Sequence, residues 1–137
     1  METGILAAHN AWRQTVKVPP LQWSAALADY AQAWANTLKG KGCDLEHRSD
    51  NAYGENLAGA TGTRLTPEEV VGMWGEEEDF YSYEENTCQE GQICGHYTQV
   101  VWANTLFVGC ARASCGRSEV WVCNYDPPGN WRGEKPY

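Results

Sequence analysis

The chain of 137 residues lacks several things, and each absence narrows the reading. No apolar run approaches the ~20 residues needed to span a bilayer as a helix. No Lys/Arg cluster is present: ten basic residues stand against eighteen acidic ones, for a formal net charge of −8. That argues against nucleic-acid binding, which depends on neutralising phosphates. Met1 is followed at once by Glu2 and Thr3, without the basic and apolar regions of a secretory leader. If the protein is secreted, the expectation is that its leader has been lost and Met1 gained. There is no C-x2-C pair; the close cysteine spacings are five, four and seven intervening residues. A cysteine-ligated zinc site is therefore the weaker reading. The chain also has no G-x-S-x-G elbow, no H-E-x-x-H and no phosphate-binding P-loop. Internal repeats and low-complexity tracts are missing as well.

What is present fits one domain with a sizeable core. Seven Trp and seven Tyr give unusual aromatic mass. The six cysteines (Cys43, Cys88, Cys94, Cys110, Cys115 and Cys123) point to three disulfides and an oxidising compartment. Their spacing leaves the pairing open.

Helices come early in the chain. The first is expected from about Thr3 to Val16, with Ile5, Leu6, His9, Trp12 and Arg13 on or near one face, and Pro19-Pro20 blocks its continuation. The second starts after Ser24, a good N-cap, and carries Leu27, Tyr30, Ala31, Trp34, Ala35 and Leu38 at helical spacing, with Gly40 just beyond. The third start is the clearest. Thr66-Pro67-Glu68-Glu69 combines an N-cap Thr, Pro at the first helical position and Glu two positions later, a capping box. A short fourth helix is expected from His96 to Trp102. Strands follow at Phe107 to Arg112 and Glu119 to Tyr125, with a turn at Gly116-Arg117-Ser118, and Tyr53 to Leu57 reads as a further short strand. Pro127-Pro128-Gly129-Asn130 ends regular structure. The pattern implies an α+β domain, helices packed on an antiparallel sheet.

The acidic run Glu76-Glu77-Glu78-Asp79 can be sorted by helical direction. At ~100° per residue, Glu77, seven residues after Val70, points almost the same way as the stripe Val70, Val71, Met73 and Trp74. Glu76 falls well off it. Glu77 is the glutamate directed inward, and an inward carboxylate needs a partner. One of only three histidines, His96, lies in the apolar run Gly95-His96-Tyr97-Thr98-Gln99-Val100-Val101-Trp102. His47 follows Cys43, and Glu55 sits in Gly54-Glu55-Asn56-Leu57. These two imidazoles and two carboxylates could hold a divalent metal such as zinc, or act as acid and base. The plainer alternative is a hydrogen-bonded polar knot that ties loops to helices.

These same segments resemble a known family. Gly95 to Thr105 matches the first signature of the CAP superfamily, which comprises cysteine-rich secretory proteins, venom antigen 5 and plant pathogenesis-related class 1 proteins. Cys123-Asn124-Tyr125-Asp126-Pro127-Pro128-Gly129-Asn130-Trp131 matches the second. His9-Asn10-x-x-Arg13 and Gly54-Glu55-Asn56-Leu57 match two shorter motifs, all in order. The run from Asn86 to Cys94 and the end Gly133-Glu134-Lys135-Pro136-Tyr137 are similar to the plant class 1 branch. Three features depart from the usual pattern: Trp121, the short Gly116 to Ser118 turn, and the residues flanking His47.

The resemblance implies a three-layer α-β-α sandwich as a single domain, residues 1–137, with a small antiparallel sheet between helices. It implies the pairings Cys43–Cys115, Cys88–Cys94 and Cys110–Cys123, the first worth ~4 kcal/mol in the chain-entropy model. It implies a central cleft lined by His47, Glu55, Glu77 and His96, able to bind zinc or another divalent ion though requiring no cofactor, and a structural role for His9. The expected function is a secreted, monomeric, non-enzymatic defence module that binds a sterol or other lipid, or a protein or cell-surface partner. The lipid would meet the aromatic loop Phe80, Tyr81 and Tyr83 together with Tyr97; the alternative is that these rings only pack the loop onto the sheet. Two other readings follow from the resemblance. One is a metal-dependent peptidase or other hydrolase in which Glu55 or Glu77 activates water. The other is a precursor whose tail, residues 127–137, fits a releasable immune-signalling peptide.

Overall fold

A computed structural model describes residues 1–137. Helix α1 spans Glu2–Thr15 and buries Ile5, His9 and Arg13, which share one face at spacings of four. Strand β1, Gln22–Trp23, leads into α2, Ala25–Lys39, whose first turn is capped by Ser24 Oγ accepting from the Leu27 N–H. Strand β2 covers Gly54–Thr61. Helix α3, Pro67–Gly75, carries the complete capping box between Thr66 and Glu69. It passes into a 3-10 turn, Glu76–Phe80, and then the short strands β3, Tyr81–Ser82, and β4, Thr87–Cys88. Helix α4 is a six-residue piece, Gly95–Val100. The long hairpin of β5, Phe107–Cys115, and β6, Ser118–Asp126, closes the domain.

The main sheet has the order β1-β5-β6-β2. Its β2–β6 and β5–β6 pairings are antiparallel, as expected. The sheet is not purely antiparallel, however: β1 pairs in parallel with β5, placing Gln22 opposite Phe107. Two residues between a Pro-Pro pair and a helix carry no periodicity, and only this tertiary pairing makes them a strand. Gly116 stands at φ +57, the left-handed value that a two-residue hairpin takes at its first turn position.

Strand alternation builds two cores from one sheet. On β6, Trp121, Cys123 and Tyr125 face α1, α3 and α4, where they meet Ile5, Val70, Val71, Trp74 and Val100. The intervening Val120 and Val122 face α2 and its Ala31, Ala35 and Leu38. Residues Glu119 to Tyr125 are all buried, as a strand covered on both faces requires. Gly109 of β5 lets the start of α2 lie close: a Cβ there would fall 2.2 Å from the Ala28 nitrogen and 2.6 Å from the Leu27 carbonyl carbon. The result is the expected three layers. The disulfides are Cys43–Cys115, Cys88–Cys94 and Cys110–Cys123, as the resemblance implied, and no cysteine is free. No helix is long and apolar enough to cross a membrane.

Two buried polar groups lock the α1 layer. His9 donates Nδ1–H to the Ile5 carbonyl at 2.9 Å, so its Nε2 accepts from the Tyr125 hydroxyl at 2.7 Å. Burial without a carboxylate partner lowers the imidazole pKa to about 4. The Arg13 guanidinium is fully buried and donates to the carbonyls of Pro19, Val100, Trp102 and Thr105 at 2.8 to 3.2 Å. Desolvation lowers its pKa to about 10, with the nearby Tyr125 acting in the opposite direction.

Candidate functional site

The four sequence-nominated residues form two His–Glu pairs beside the edge strand β2. Glu55 is on β2 itself. Its Oε1 accepts from His47 Nδ1 at 2.8 Å and from the Arg48 N–H at 3.0 Å, and its Oε2 accepts from Asn51 Nδ2 at 3.1 Å. The Glu55 side chain is 5% exposed, whereas His47 is 66% exposed. The carboxylate is thus fixed, and it orients an open imidazole.

Glu77 lies on the 3-10 turn rather than on a continued α-helix, yet it points inward as its spacing suggested. Its Oε1 accepts the N–H groups of His96 and Tyr97 at 3.0 and 3.1 Å. These are first-turn donors of α4, whose own N-cap residue, Cys94, supplies no side-chain bond. Glu77 therefore caps α4 from a distance. Its Oε2 accepts from His96 Nδ1 at 2.6 Å. The His96 ring lies nearly parallel to Trp74, with centroids 6.2 Å apart.

In both pairs the Nδ1–H is donated to a carboxylate, and the Nε2 nitrogen has no protein partner. This is the arrangement by which carboxylates orient imidazole ligands towards a metal. The donor chemistry suits a borderline cation such as zinc through the two Nε2 atoms. Both oxygens of each glutamate accept from protein donors, which fixes the carboxylate beside its imidazole. No three His, Cys, Asp or Glu side chains converge as a group that could hold a metal ion. The residues thus fit two oriented imidazole donors, not a preformed three-ligand cage. Glu55 and Asn56 are successive residues of β2, so this one strand touches both pairs. Asn56 Nδ2 donates to the His96 carbonyl at 3.1 Å on the α4 side. A cavity of about 260 Å³ adjoins His47 and Glu55 and is lined also by Arg48, Asn51, Gln99 and Asn130, but not by His96 or Glu77.

Several supporting residues escaped the sequence reading. Asn51 links Glu55 to the Tyr30 hydroxyl, and the Arg48 guanidinium sits 3.8 Å from the Tyr30 ring centroid. Asn56 holds both the His96 carbonyl and the Tyr125 hydroxyl. Gln99 is buried and accepts from the Gly129 N–H. Asn56 and Gln99 sit inside the motifs already quoted, where buried amides were the available signal.

The aromatic loop divides. Tyr97 is 1% exposed and belongs to the core, its hydroxyl donating to Glu78 Oε2 at 3.2 Å. Of the four aromatics expected to meet a lipid, Tyr97 is thus the one that sits within the core cluster, with Val100 and Val101. Burial and its acidic neighbours raise the phenol pKa. Phe80 and Tyr81 are half-buried, and the Tyr81 hydroxyl donates to Asn86 Oδ1. Tyr83 is exposed and stacks on Tyr137 with centroids 4.5 Å apart, and its hydroxyl donates to the Tyr137 carbonyl. The segment 127–137 is also held by Ala103 N–H to the Pro136 carbonyl, Asn86 Nδ2 to the Glu134 carbonyl and Thr98 Oγ1 to Asn130 Oδ1. Ile93 and Trp131 stay largely exposed nearby.

A disulfide-bonded α-β-α domain with oriented histidines beside its edge strand defines a narrow class of protein. Comparison with known proteins places the chain within that class. The model of the cysteine-rich secretory protein family, CAP, matches residues 6–125, and the chain belongs to this family. It is 51% identical to pathogenesis-related protein 1A of Nicotiana tabacum over 133 residues, covering 96% of this chain and 78% of that protein. Among solved structures it is similar to venom allergen-like protein 4 of Schistosoma mansoni, with TM-score 0.81 and 28% identity, covering 98% of this chain and 92% of that one. The fold is shared with NaASP2, solved with Zn2+, at TM-score 0.78 and 21% identity, covering 98% of this chain and 83% of that one.

Proposed function

We propose that this chain is a secreted, non-enzymatic defence module of the pathogenesis-related class 1 type, with a cleft that takes a divalent metal ion on His47 and His96. The single observation that carries the metal reading is the repeated geometry: in both pairs a fixed glutamate engages Nδ1 and leaves Nε2 open. The defence assignment draws on the identity to the tobacco protein over nearly the whole chain. Three disulfides are the cysteine usage of an oxidising compartment and support secretion.

The same geometry favours binding over hydrolysis. A metal-assisted hydrolase is best served by a carboxylate free of protein donors and turned towards the attacking water. Both oxygens of Glu55 and of Glu77 already accept from protein donors. Hydrolysis of any peptide that fell with His47→Ala and His96→Ala would reverse this preference. A bound ion would supply a positive centre in an otherwise acidic domain, to which a partner's anionic group could add. Zinc titration of the wild type and of the two histidine variants tests the reading, equal loss in both variants marking one shared ion and loss in only one marking a single-histidine contact.

A sterol or other lipid is the second ligand proposed, at the exposed apolar surface of Tyr83, Ile93 and Trp131 beside half-buried Phe80. The hydrogen bonds that hold segment 127–137 against this surface argue that a signalling peptide would leave only after the tail has been detached.

A further inference from the structure

The three disulfides differ in exposure and in reach. Cys110–Cys123 links neighbouring strands in the core, with Cys110 3% and Cys123 0% exposed. Cys43–Cys115 joins a buried to a half-buried cysteine across 72 positions. Cys88–Cys94 spans only six positions, and Cys88 is an exposed residue at the end of β4. Thiol–disulfide exchange needs access to a sulfur, so this bond is the one a reductant reaches first. A short loop also adds least in the chain-entropy model, and it keeps the two thiols near each other for re-oxidation.

The bond also fastens a piece of chain that has few other ties. Strand β4 has two residues, both exposed, and pairs only with β3. A ribbon of this size is marginal alone. β3 is anchored by Tyr81, which packs on the core, whereas β4 is fixed to the body of the domain through Cys94. The turn between the two strands grips the C-terminal segment. Asn86 Nδ2 donates to the Glu134 carbonyl at 3.3 Å, Tyr83 stacks on Tyr137, and the Lys135 ammonium lies 4.5 Å from the Tyr83 ring centroid. Both cysteines also share the walls of a cavity of about 340 Å³ with Trp131, Glu134 and Pro136. Helix α4, on the other side of the bond, has a separate hold, because Glu77 accepts its first N–H groups.

We propose that Cys88–Cys94 is a redox latch on the C-terminal segment, opened by a dithiol reductant and closed by re-oxidation. A thiolate of the reductant attacks the Cys88 sulfur, and Cys94 leaves as a thiolate and takes up a proton. The second thiol of the reductant then displaces Cys88, which is protonated in turn. The reductant ends as a disulfide and the protein gains two thiols, two electrons and two protons having passed between them. With the bond cut, β4 and the turn before it loosen, and residues 134–137 lose the partners that this turn supplies. The latch acts on the tail and leaves the His–Glu pairs in place, so it stands apart from the metal and lipid readings.

The test uses the full chain, with dithiothreitol as the dithiol. Graded reduction, alkylation and peptide mass spectrometry should label Cys88 and Cys94 at dithiol concentrations at least about tenfold below those that label the remaining cysteines. Amide exchange of the selectively reduced protein should accelerate at least about tenfold at Gln89, Glu134 and Tyr137. Gly129, whose N–H is held by Gln99, and strands β5 and β6 should keep their rates. The double substitution Cys88→Ser with Cys94→Ser, which carries no alkyl groups, should show the same pattern without any reductant. Reduction of another disulfide at the same dithiol concentration would overturn the proposal. So would unchanged exchange at Glu134 and Tyr137 once the bond is cut. Loss of protection in β5 and β6 together with the bond would overturn it too, by making Cys88–Cys94 a brace of the whole domain.

Discussion

Glu77 and His96 are joined by two kinds of bond at once. The carboxylate takes the His96 Nδ1–H at 2.6 Å and also the His96 backbone N–H at 3.0 Å. One side chain therefore sets both the start of α4 and the direction of the imidazole it carries. A six-residue helix has little intrinsic stability, so its placement depends on contacts of this kind.

The first prediction follows from that dual bond. Glu77→Ala leaves the N–H groups of His96 and Tyr97 without their acceptor and frees the ring. Stability should fall by about 3 kcal/mol, the scale of charged hydrogen bonds lost in a half-buried site. Urea unfolding with the disulfides intact measures it. A loss below about 0.5 kcal/mol, the scale of ordinary surface changes, would mean that α4 is held by its apolar packing alone.

Buried His9 makes stability depend on pH. Its folded pKa, about 4, lies below the unfolded value of 6.5. The unfolded chain therefore binds the extra proton first as pH drops. The stability is fully present above pH 6.5 and is lost as pH falls towards 4. The full window corresponds to about 3 kcal/mol. Unfolding midpoints of the wild type and His9→Gln, compared at pH 7 and just above 4, should show a shallower dependence in the variant. Equal slopes would assign the effect to other groups.

Arg13 supplies a third test. Its planar fork reaches four carbonyls from two stretches of chain, Pro19 and residues 100–105, a geometry that a lysine cannot reproduce. Arg13→Lys should cost about 3 kcal/mol, since it strands buried acceptors. Denaturant unfolding of this variant would contradict the account if lysine were tolerated without loss.

The tail gives a prediction about dynamics. Tyr83→Ala removes both the stacking on Tyr137 and the hydroxyl bond to its carbonyl. Amide exchange at Glu134 and Tyr137 should accelerate in the variant, while exchange in β5 and β6 stays unchanged. Identical exchange at the tail would show that Ala103 and Asn86 hold it unaided.

The sequence was most readable where structure is decided locally. The capping box at Thr66 and Glu69 formed as written, because all its partners lie within four residues. The inward direction of Glu77 was also legible, although the helix had already tightened into a 3-10 turn. There Gly75 lies against Trp12, at 2.1 Å from where a Cβ would be, a closeness that only the folded chain reveals. Long-range facts were hidden. Strand β1 exists only through its pairing with β5, and Arg13 reads as a helix-face residue until its distant carbonyls are in place. The four cleft residues could be named from their motifs. Their division into two pairs could not, because it depends on where the folded chain brings the 3-10 turn to α4 and the His47 loop to β2.

The central claim concerns the two open imidazole nitrogens, and calorimetric titration with Zn2+ tests it most directly. The wild type should bind zinc, and His47→Ala and His96→Ala should each weaken it by at least about tenfold; Glu55→Gln, which disturbs the carboxylate that orients His47 and also holds Arg48 and Asn51, should weaken it by about tenfold. Zinc affinity left unchanged by both histidine substitutions, or no binding by the wild type, would contradict the account and leave the pairs as hydrogen-bonded ties between loop, turn and helix.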